Sequence, residues 1–373
     1  CVNILKVSRS IGEHELTTKI TKDGSQREET MQREILLSLL MLIGSVATTA
    51  AQTPYYQGKT ITIITGSQTG DVFDIYARMI AAHMGKSIPG NPNIVVQNMT
   101  GAGHIVAANF VYSVAKPDGL TLLAPNPNLY VDQLIGRPEI KFDWAKFAWL
   151  GNAQRTTDML YMRTDAPYKT MEDVRNAKEP PKCGATGTGT TGFMVPRLLE
   201  ETIGAKFNVI TGYKGGNEVD LAVERGEIQC RAFSVTAFFA REPFHTWRKN
   251  NFARAIIQNG HKRDSRLPDV PTLNELMEKY KTPEISRRVA LVVTASEIFQ
   301  RPYMGPPGLR PELVKILREA FQKTLKDNAF LEDVKSKKLD AEYTSGEEME
   351  TMAKEMMSQR PEVIERLRKV LGN

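Results

Sequence analysis

The sequence predicts a two-domain α/β protein in which each domain contains a mainly parallel sheet flanked by helices. Its 373 residues are more than one ordinary hydrophobic core organises, so two domains are expected. Short runs rich in β-branched residues alternate with segments whose apolar residues recur at helical spacing, an order typical of parallel sheets. The alternation occurs twice along the chain, once for each predicted domain.

The first set of elements starts with a β-rich run at 60–65 and a helix whose apolar residues recur from Phe73 to Met84. Its remaining members are a strand at 94–97, a helix that opens at 101–103, and a strand at 120–124. The second set repeats the order, with strands at 159–163, 182–186, 207–210 and 228–233 and helices at 193–203 and 216–225.

The C-terminal residues are mainly helical. Pro311 is placed to start one helix, and Ser345 with Glu348 forms a capping pattern before another. Residues 289–293 read as a last strand. Because these pieces form no sheet alone, we expect them to return to the first domain. Domain 1 is therefore predicted at 53–155 and 268–373, and domain 2 at 156–267.

The N-terminal region predicts export. An apolar run at 35–47 follows Met31 and ends in small residues, where a signal peptidase would cut near Ala51. This run is shorter than the roughly 20 residues that a transmembrane helix needs. Residues 31–51 are thus expected to be a signal peptide, with a buried core helix as the alternative. Residues 1–30 are expected to be a non-native or disordered leader, with a lipidated Cys1 as the alternative.

The composition excludes several classes of function. The formal net charge of +6 comes from 49 basic and 43 acidic residues that are interspersed, so no nucleic-acid partner is expected. Four histidines follow the predicted signal peptide, none four residues from another, and no metal site is expected: His83, His104, His245 and His261. No familiar catalytic motif is present, so the analysis predicts no enzyme, no catalytic residue and no cofactor.

Two cysteines remain after the predicted signal peptide, Cys183 and Cys230, and both fall on predicted strands of the second domain. In an exported protein they either pair or stay buried and reduced. A disulfide between parallel neighbouring strands is geometrically awkward, and free buried thiols are therefore expected.

The turn at 66–71, between the first strand and the first helix, is the first candidate ligand site. Ligands of open α/β sheets bind outside the carboxyl ends of the strands. A glycine-rich turn there exposes backbone N–H groups, and the helix contributes the positive end of its dipole. Asp71 and Asp74 are alternatively an N-cap and its partner within the helix. If Asp74 faces the cleft instead, it would suit a ligand ammonium.

The second candidate is the Gly/Thr-rich turn at 184–192, which offers several hydroxyls and open N–H groups to a carboxylate. It also contains the Gly-x-Gly-x-x-Gly pattern of dinucleotide sites. That pattern requires an acidic residue at the end of the next strand, and none is present here. Tyr213 and Asn126 are weaker candidates, each with a plain turn residue as the alternative.

Two turns acting together are needed on energetic grounds. One helix terminus contributes about 0.3–1 kcal/mol, whereas micromolar binding requires about 8 kcal/mol. Two turns on facing domains that close around the ligand and exclude water would meet this requirement.

Seven stretches of the chain, in this order and spacing, carry a family resemblance: 69–78, 97–103, 115–119, 187–190, 213–215, 267–272 and 306–308. Together they resemble the substrate-binding receptors of tripartite tricarboxylate transporters, the Bug family of periplasmic proteins. The resemblance implies a two-domain periplasmic-binding-protein (flytrap) fold with the ligand between the first turn and the Gly/Thr turn.

The chain departs from the family pattern at two places near this implied site. The common Pro-Phe-x-Ala-Gly-Gly loop is replaced by the sequence at 66–71, and a common His is Phe193 here. Because both changes are expected to touch the pocket, the usual dicarboxylate or citrate-like ligand is not carried over. The predicted ligand-binding residues are Ser67, Gln68, Thr69, Gly70, Asp71, Asp74, Asn126, Thr188, Gly189, Thr190, Thr191 and Tyr213.

The sequence therefore predicts a monomeric periplasmic receptor that delivers a small organic acid to membrane transporter subunits. An exported enzyme or cofactor binder that uses the turn at 187–192 is the alternative. Presentation of the ligand to a membrane sensor is a further possibility that the sequence does not separate from transport.

Overall fold

Two β-sheets organise the chain in the computed structural model, which describes residues 31, 53–260 and 262–372. With strands numbered in chain order, the first sheet has the spatial order β11-β4-β10-β3-β1-β2. Its strands are β1 (Thr60–Thr65), β2 (Asn93–Asn98), β3 (Thr121–Ala124), β4 (Ala148–Asn152), β10 (Pro302–Gly305) and β11 (Thr344–Ser345). The second sheet has the order β7-β6-β8-β5-β9. Its strands are β5 (Asp158–Arg163), β6 (Lys182–Gly184), β7 (Asn208–Ile210), β8 (Cys230–Ser234) and β9 (Ala253–Gln258).

Fourteen helices are described alongside these strands. They are α1 (Val72–Met84), α2 (Ile105–Ser113), α3 (Leu129–Leu134), α4 (Met171–Arg175), α5 (Thr191–Ile203), α6 (Gly216–Glu224) and α7 (Val235–Ala240). The others are α8 (Phe244–Lys249), α9 (Leu273–Lys279), α10 (Glu284–Thr294), α11 (Pro311–Leu325), α12 (Asn328–Ser336), α13 (Gly346–Met357) and α14 (Pro361–Leu371). The predicted α/β class with two sheets flanked by helices is confirmed.

Each sheet mixes parallel and antiparallel pairs, where mainly parallel sheets were expected. β1 runs parallel to β2 and β3, and β6 runs parallel to β7 and β8. The antiparallel pairs are those of β5 with β8 and β9, of β10 with β3 and β4, and of β11 with β4. β5 and β10 are the first strands after the chain passes from one sheet to the other, so they enter their sheets without the crossover helix that parallel pairing needs.

The chain passes between the two sheets through residues 153–157 and 295–301, and the two passages are joined by hydrogen bonds. The amide of Ala153 donates to the carbonyl of Arg301 at 2.9 Å, and the amide of Arg301 donates to Asn152 Oδ1 at 2.8 Å. The two lobes, one around each sheet, are therefore connected by a short double link. This agrees with the expectation that the chain crosses at least twice.

The segment 289–293, predicted as a strand, belongs to helix α10 instead. Val289, Ala290, Val292 and Val293 are all buried, and their spacing places them on one face of a helix. A short run rich in β-branched residues does not distinguish a strand from a buried helix segment. Here the helical packing surface outweighs the β propensity of valine.

Helices α9 and α10 lie against the second lobe, whereas the sequence analysis assigned 268–373 to the first. The hydroxyl of Thr282 donates to the carbonyl of Thr202 in α5 at 2.6 Å. The guanidinium of Arg175 in α4 stacks on Tyr280, with Cζ 3.7 Å from the ring centroid. The return to the first lobe comes only with β10, some 30 residues later than the sequence suggested.

Cys183 and Cys230 form a disulfide, which corrects the prediction of free thiols. The two residues are direct partners in the parallel pairing of β6 with β8, as expected for neighbouring strands. Their Cα atoms are 4.4 Å apart, within the range that a disulfide spans. β6 and β8 pair with each other at this one register position, and the bridge joins the two residues of that pair.

The predicted leader and signal peptide at 1–51 lie outside the described residues, apart from Met31. No helix in the described ranges is long and apolar enough to cross a membrane.

Candidate ligand-binding site

A cavity of about 390 Å³ lies between the two lobes, at the carboxyl ends of β1, β3, β6 and β8. Its size is within the range of small-molecule sites, and its position follows the rule for open α/β sheets. Both predicted turns contribute to its wall, with Ser67 and Gln68 from the first lobe and Thr190 and Thr191 from the second. The structure thus brings the two turns to one gap.

The first turn reaches the cavity through its two ends. Ser67, Gln68 and Asp71 line the wall. Gly66 also lines it, and glycine is required there because a Cβ would collide with the backbone and ring of His104. Asp71 is the N-cap of α1, with Oδ1 accepting from the amide of Phe73 at 3.1 Å.

Asp74, Thr69 and Gly70 do not line this cavity, although they were predicted to bind the ligand. Asp74 turns inward, where it accepts from the amide of Gly70 at 2.8 Å and from Asn98 at 2.9 Å, and it pairs with Arg78 at 2.9 Å. Burial alone would raise the pKa of Asp74, but these donors outweigh it and lower the pKa. Asp74 therefore acts as a fixed carboxylate that holds the turn.

The Gly/Thr turn reaches the cavity with Thr186, Thr190 and Thr191, while Thr188 and Gly189 lie outside the lining. The hydroxyl of Thr190 donates to the carbonyl of Gly187 at 2.7 Å, which closes the turn. Three threonine side chains thus line the cavity, with Thr186 in place of the predicted Thr188.

Side chains of the first lobe hold the Gly/Thr turn across the cleft. Asn126 Nδ2 donates to the carbonyl of Gly189 at 2.9 Å, and Asn128 Nδ2 donates to the hydroxyl of Thr191 at 3.1 Å. Asn126 also lines the cavity. The lobes are therefore in a closed arrangement, and the wall residue Asn126 is one of the contacts that keep it closed.

Substitution of Gly189 by alanine is expected to weaken ligand binding about tenfold or more. A Cβ at this position would collide with the carboxylate of Asp132 in the opposite lobe. The Gly/Thr turn would have to move away, and an error of about 1 Å at a positioned site costs on this scale. Titration calorimetry measures the effect. Gly187→Ala is the matched control, because its Cβ would meet nothing nearer than 3.5 Å. Equal effects of the two substitutions would contradict this prediction.

Tyr213 lines the cavity from the turn between β7 and α6, as predicted, together with Lys214. Tyr213 is half-buried and Lys214 is exposed, so the lysine lies at the mouth. Phe193, expected to alter the pocket, is buried outside the lining, with Arg197 packed over its ring.

Arg301 is the main wall residue that the sequence analysis missed. Its side chain is 3% exposed and lines the cavity, with Cζ 4.4 Å from the ring centroid of Phe73. Nη1 donates to Gln300 Oε1 at 3.1 Å and Nη2 contacts Ser234 Oγ at 3.4 Å, whereas Nε has no partner. Across the described ranges, no carboxylate lies within ion-pair distance of this guanidinium. Arg301 is thus a buried cation without a direct ion-pair partner, and Asp71 and Asp158 attract it from beyond that distance.

Two other arginines of the wall share one aspartate. Arg231 and Arg241 both pair with Asp220, at 2.5 and 2.9 Å. Asp220 is itself buried. The triad keeps one net positive charge, and Arg231 is also attracted by Asp71. Unlike Arg301, both arginines therefore have a direct ion-pair partner.

His104 and Asp158 are buried wall residues that the sequence analysis also missed. Burial lowers the pKa of His104 to about 4, so the imidazole is neutral near pH 7, and its Nδ1 has no partner. Burial raises the pKa of Asp158 to about 6, against the attraction of Arg301, while Gln300 and Thr191 donate to its two oxygens. Both residues lie beside β-strand ends, but no local pattern marks them as wall residues.

We expect Asp158 to make the folded protein less stable as the pH rises from about 4 to about 6. Its pKa is raised from 3.8 to about 6, so the folded state holds this proton more tightly than the unfolded chain. The stabilisation from this proton is complete below the ordinary pKa of 3.8. It is lost as the pH rises past the pKa of about 6 in the folded protein. Urea unfolding across this pH range should show a smaller fall in the free energy of unfolding for Asp158→Asn than for the parent protein.

The control for this pH dependence is Asp165→Asn. Hydrogen bonding to Arg163 lowers the pKa of Asp165, so its contribution to stability has the opposite sign. A fall that is unchanged in Asp158→Asn would show that Asp158 is not responsible.

Residues 76–368 match the family model described as tripartite tricarboxylate transporter family receptor. The chain belongs to this family. A relative from Cupriavidus necator, the "UPF0065 protein in gbd 5'region", is 27% identical over 350 residues, which cover 92% of this chain and 98% of the relative. The resemblance seen in the sequence motifs is thereby confirmed.

Solved structures share the receptor fold. The periplasmic binding protein BugD superimposes with a TM-score of 0.67 at 20% identity, covering 84% of this chain and 98% of its own. MatC from Rhodopseudomonas palustris, solved with bound malate, gives 0.64 at 18% identity, covering 84% and 99%. At these identities the likeness establishes the two-domain periplasmic-binding-protein fold of this receptor.

The described residues contain no group of three or more His, Cys, Asp or Glu side chains arranged to hold a metal ion. The donors of the wall are amides and guanidinium groups, which suit an anion, and the carboxylates of Asp71 and Asp158 lie beside them.

Proposed function

We propose that this receptor closes around a small carboxylate-bearing metabolite in the periplasm and presents it to the membrane subunits of a tripartite tricarboxylate-type transporter. The observation that carries the proposal is Arg301, a buried guanidinium without a direct ion-pair partner in the wall of a cavity between two lobes.

A buried cation without an acidic partner is costly in an empty protein and favourable once an anion binds. Its planar donors match the two oxygens of a carboxylate. The side-chain amide of Gln68 adds a donor from the first lobe, and the side chains of Thr190 and Thr191 complete the wall from the second lobe. Because these groups come from both lobes, they contribute more binding energy than one helix terminus, and this contribution depends on closure of the lobes.

The likeness to MatC supports the chemistry of the ligand, because that neighbour holds malate, a hydroxy dicarboxylate. The match to the receptor family supports the partner and the location. A monomer that exchanges its ligand with membrane transporter subunits is the simplest assembly for such a receptor.

The alternative function, an enzyme or cofactor binder that uses the turn at 187–192, is less well supported by the contacts of that turn. Gly187 lies against Gly103, with 3.5 Å between an added Cβ and the Gly103 nitrogen, and the carbonyl of Gly189 accepts from Asn126. A pyrophosphate would need the backbone groups of this turn to be open.

The test is calorimetric titration of protein that has been unfolded in urea, dialysed and refolded to remove ligand retained from the host. Malate, other organic acids, amino acids, ATP and NAD are titrated in parallel. We expect at least one carboxylate compound to bind with micromolar or tighter affinity. Binding of ATP or NAD with no binding of any carboxylate compound would contradict the receptor function and favour the alternative.

A further inference from the structure

Asp132 is a buried carboxylate that lies where the two lobes meet, outside the lining of the cavity. It belongs to α3 of the first lobe, and its side chain has no exposed surface. Its Oδ1 accepts from Arg137 Nε at 2.6 Å. Its Oδ2 is buried and has no hydrogen-bond partner among the described residues. One half of this carboxylate is therefore satisfied and the other half is not.

The second lobe covers the unsatisfied oxygen. A Cβ added to Gly189 would collide with Oδ2, so the backbone of the Gly/Thr turn lies directly against it. Asn126 and Asn128 of the first lobe hold this turn in place, through the carbonyl of Gly189 at 2.9 Å and the hydroxyl of Thr191 at 3.1 Å. Because these contacts join the two lobes, opening of the lobes separates the turn from Asp132 and gives Oδ2 access to water.

The turn that covers Asp132 brings no charge that could replace water. Residues 184–192 include no titratable side chain. The charged groups that act on Asp132 are Arg137, which attracts it, and Glu139, which repels it, and both follow α3 in the first lobe. Charged side chains on other elements beside α3 have partners of their own. They include Lys146 with Asp143, Glu350 with Lys354, and Arg368 with the carbonyl of Ile135.

Closure of the lobes therefore changes the proton affinity of Asp132. Burial raises the pKa of this carboxyl from 3.8 to about 6, against the attraction of Arg137. Opening removes part of the burial but leaves Arg137 in place, because both residues belong to the first lobe, so the pKa is lower in the open form. The closed form is thus favoured most below the pKa of the open form, and this advantage is lost as the pH rises past about 6.

We infer that closure of the two lobes takes up a proton at Asp132, so that the receptor closes more readily in mildly acidic surroundings than near neutral pH. The geometry that carries this inference is a half-satisfied carboxylate whose free oxygen is covered by the opposite lobe. The inference rests on the lobe closure that the proposed function requires and adds a regulation of the same site. It holds whichever anion the cavity takes, because Asp132 does not line the cavity.

Small-angle X-ray scattering tests this inference on ligand-free protein, because opening of the lobes increases the radius of gyration. The full-length protein is unfolded in urea, refolded without ligand and measured between about pH 5 and about pH 7.5. With a pKa of about 6 in the closed form and one near 3.8 in the open form, the ratio of closed to open protein is about tenfold higher at the acidic end. We therefore expect the radius of gyration to fall as the pH drops below about 6.

Asp132→Asn imitates the protonated carboxyl, because asparagine keeps an acceptor for Arg137 and carries no charge. We expect this variant to have the smaller radius of gyration already near neutral pH, with little further change on acidification. Asp158 also has a raised pKa, but its contribution is common to the parent and the variant, so the difference between their pH profiles reports Asp132. Asp165→Asn, on an exposed carboxylate remote from the cavity wall, should keep the profile of the parent.

Arg137→Gln is a second variant that shifts the transition instead of removing it. Loss of the attraction that lowers the pKa of Asp132 should make the fall in radius begin at a higher pH than in the parent. This measurement keeps the inference testable if Asp132→Asn does not fold.

Three outcomes would overturn the inference. They are a parent radius that does not change with pH, an Asp132→Asn profile that matches the parent, and an Arg137→Gln transition that begins at the parent's pH. An Asp132→Asn variant that stays open at every pH would likewise assign Asp132 a purely structural role. Since no ligand is present, these outcomes are independent of the calorimetric test of the receptor function, and either proposal can fail while the other stands.

Discussion

Replacing Arg301 with glutamine is expected to weaken the binding of the receptor's carboxylate ligand by about a hundredfold. Removing one partner of a buried charge pair costs roughly 2–5 kcal/mol, and every 1.4 kcal/mol is a factor of about ten. Glutamine keeps a planar donor close to Gln300 and Ser234 but removes the positive charge. Calorimetric titration gives the affinity, and the loss should appear for every ligand that carries a carboxylate.

The control is Arg287→Gln, at another partly buried arginine whose neighbours are uncharged. Its guanidinium donates to the carbonyls of Thr282 at 3.0 Å and Met277 at 2.9 Å, far from the cavity wall. We expect Arg287→Gln to lower the unfolding temperature without changing the affinity. If the affinity of Arg301→Gln for the carboxylate ligand is within about threefold of the parent's, the observation on which the proposed function depends is removed.

Removal of the Cys183–Cys230 disulfide is expected to lower the free energy of unfolding by about 4 kcal/mol. The bridge closes a segment with a sequence separation of 47, and the chain-entropy relation for that length gives this value. Both side chains are fully buried, so the Cys183→Ala/Cys230→Ala variant also loses their packing contacts. Urea unfolding of the parent and the double variant measures the difference.

Reductant separates the bridge from the packing of the two side chains. The parent protein should lose stability when unfolding is measured with dithiothreitol, while the double variant should give the same curve with and without it. A parent curve that does not respond to reductant in the unfolding transition would show that the bridge contributes little. Affinity for the ligand should change much less than stability, because neither cysteine lines the cavity.

The sequence predicted those secondary-structure elements that have a clear local periodicity of apolar residues. β1, the Gly-rich turn and α1 follow one another as expected, since β-branched runs and helical spacing are short-range signals. The meeting of the two turns also followed, because the carboxyl ends of strands are where α/β folds bind ligands.

Which face of a turn points to the ligand could not be predicted. Asp74 and Asp71 are three residues apart, yet one fixes the turn from inside and the other faces the cavity. Likewise, Thr186 lines the cavity and Thr188 does not. Orientation within a turn depends on backbone angles and on partners such as Asn98 and Asn126, which come from elsewhere in the chain.

Arg301 could not be found because no local pattern marks it. Its partners lie far away in sequence, with Asn152 and Ser234 contributing contacts from 149 and 67 residues away. An arginine before a proline reads as an ordinary loop residue. The three-dimensional structure is needed to show that Arg301 is buried and that no described carboxylate lies at ion-pair distance from it.

The double link between the lobes has a consequence for the order of events in ligand capture. Arg301 is the last residue of one passage and is tied by hydrogen bonds to the other, so it belongs to the pivot itself. If the lobes swing apart about this link, we expect the guanidinium to move little while both glycine turns move away from it. An incoming anion would therefore encounter this stationary anchor first, and the turns would then fold over a molecule already in place. Entry rates should depend on the anchor, whereas residence times should depend on the contacts that seal the lobes.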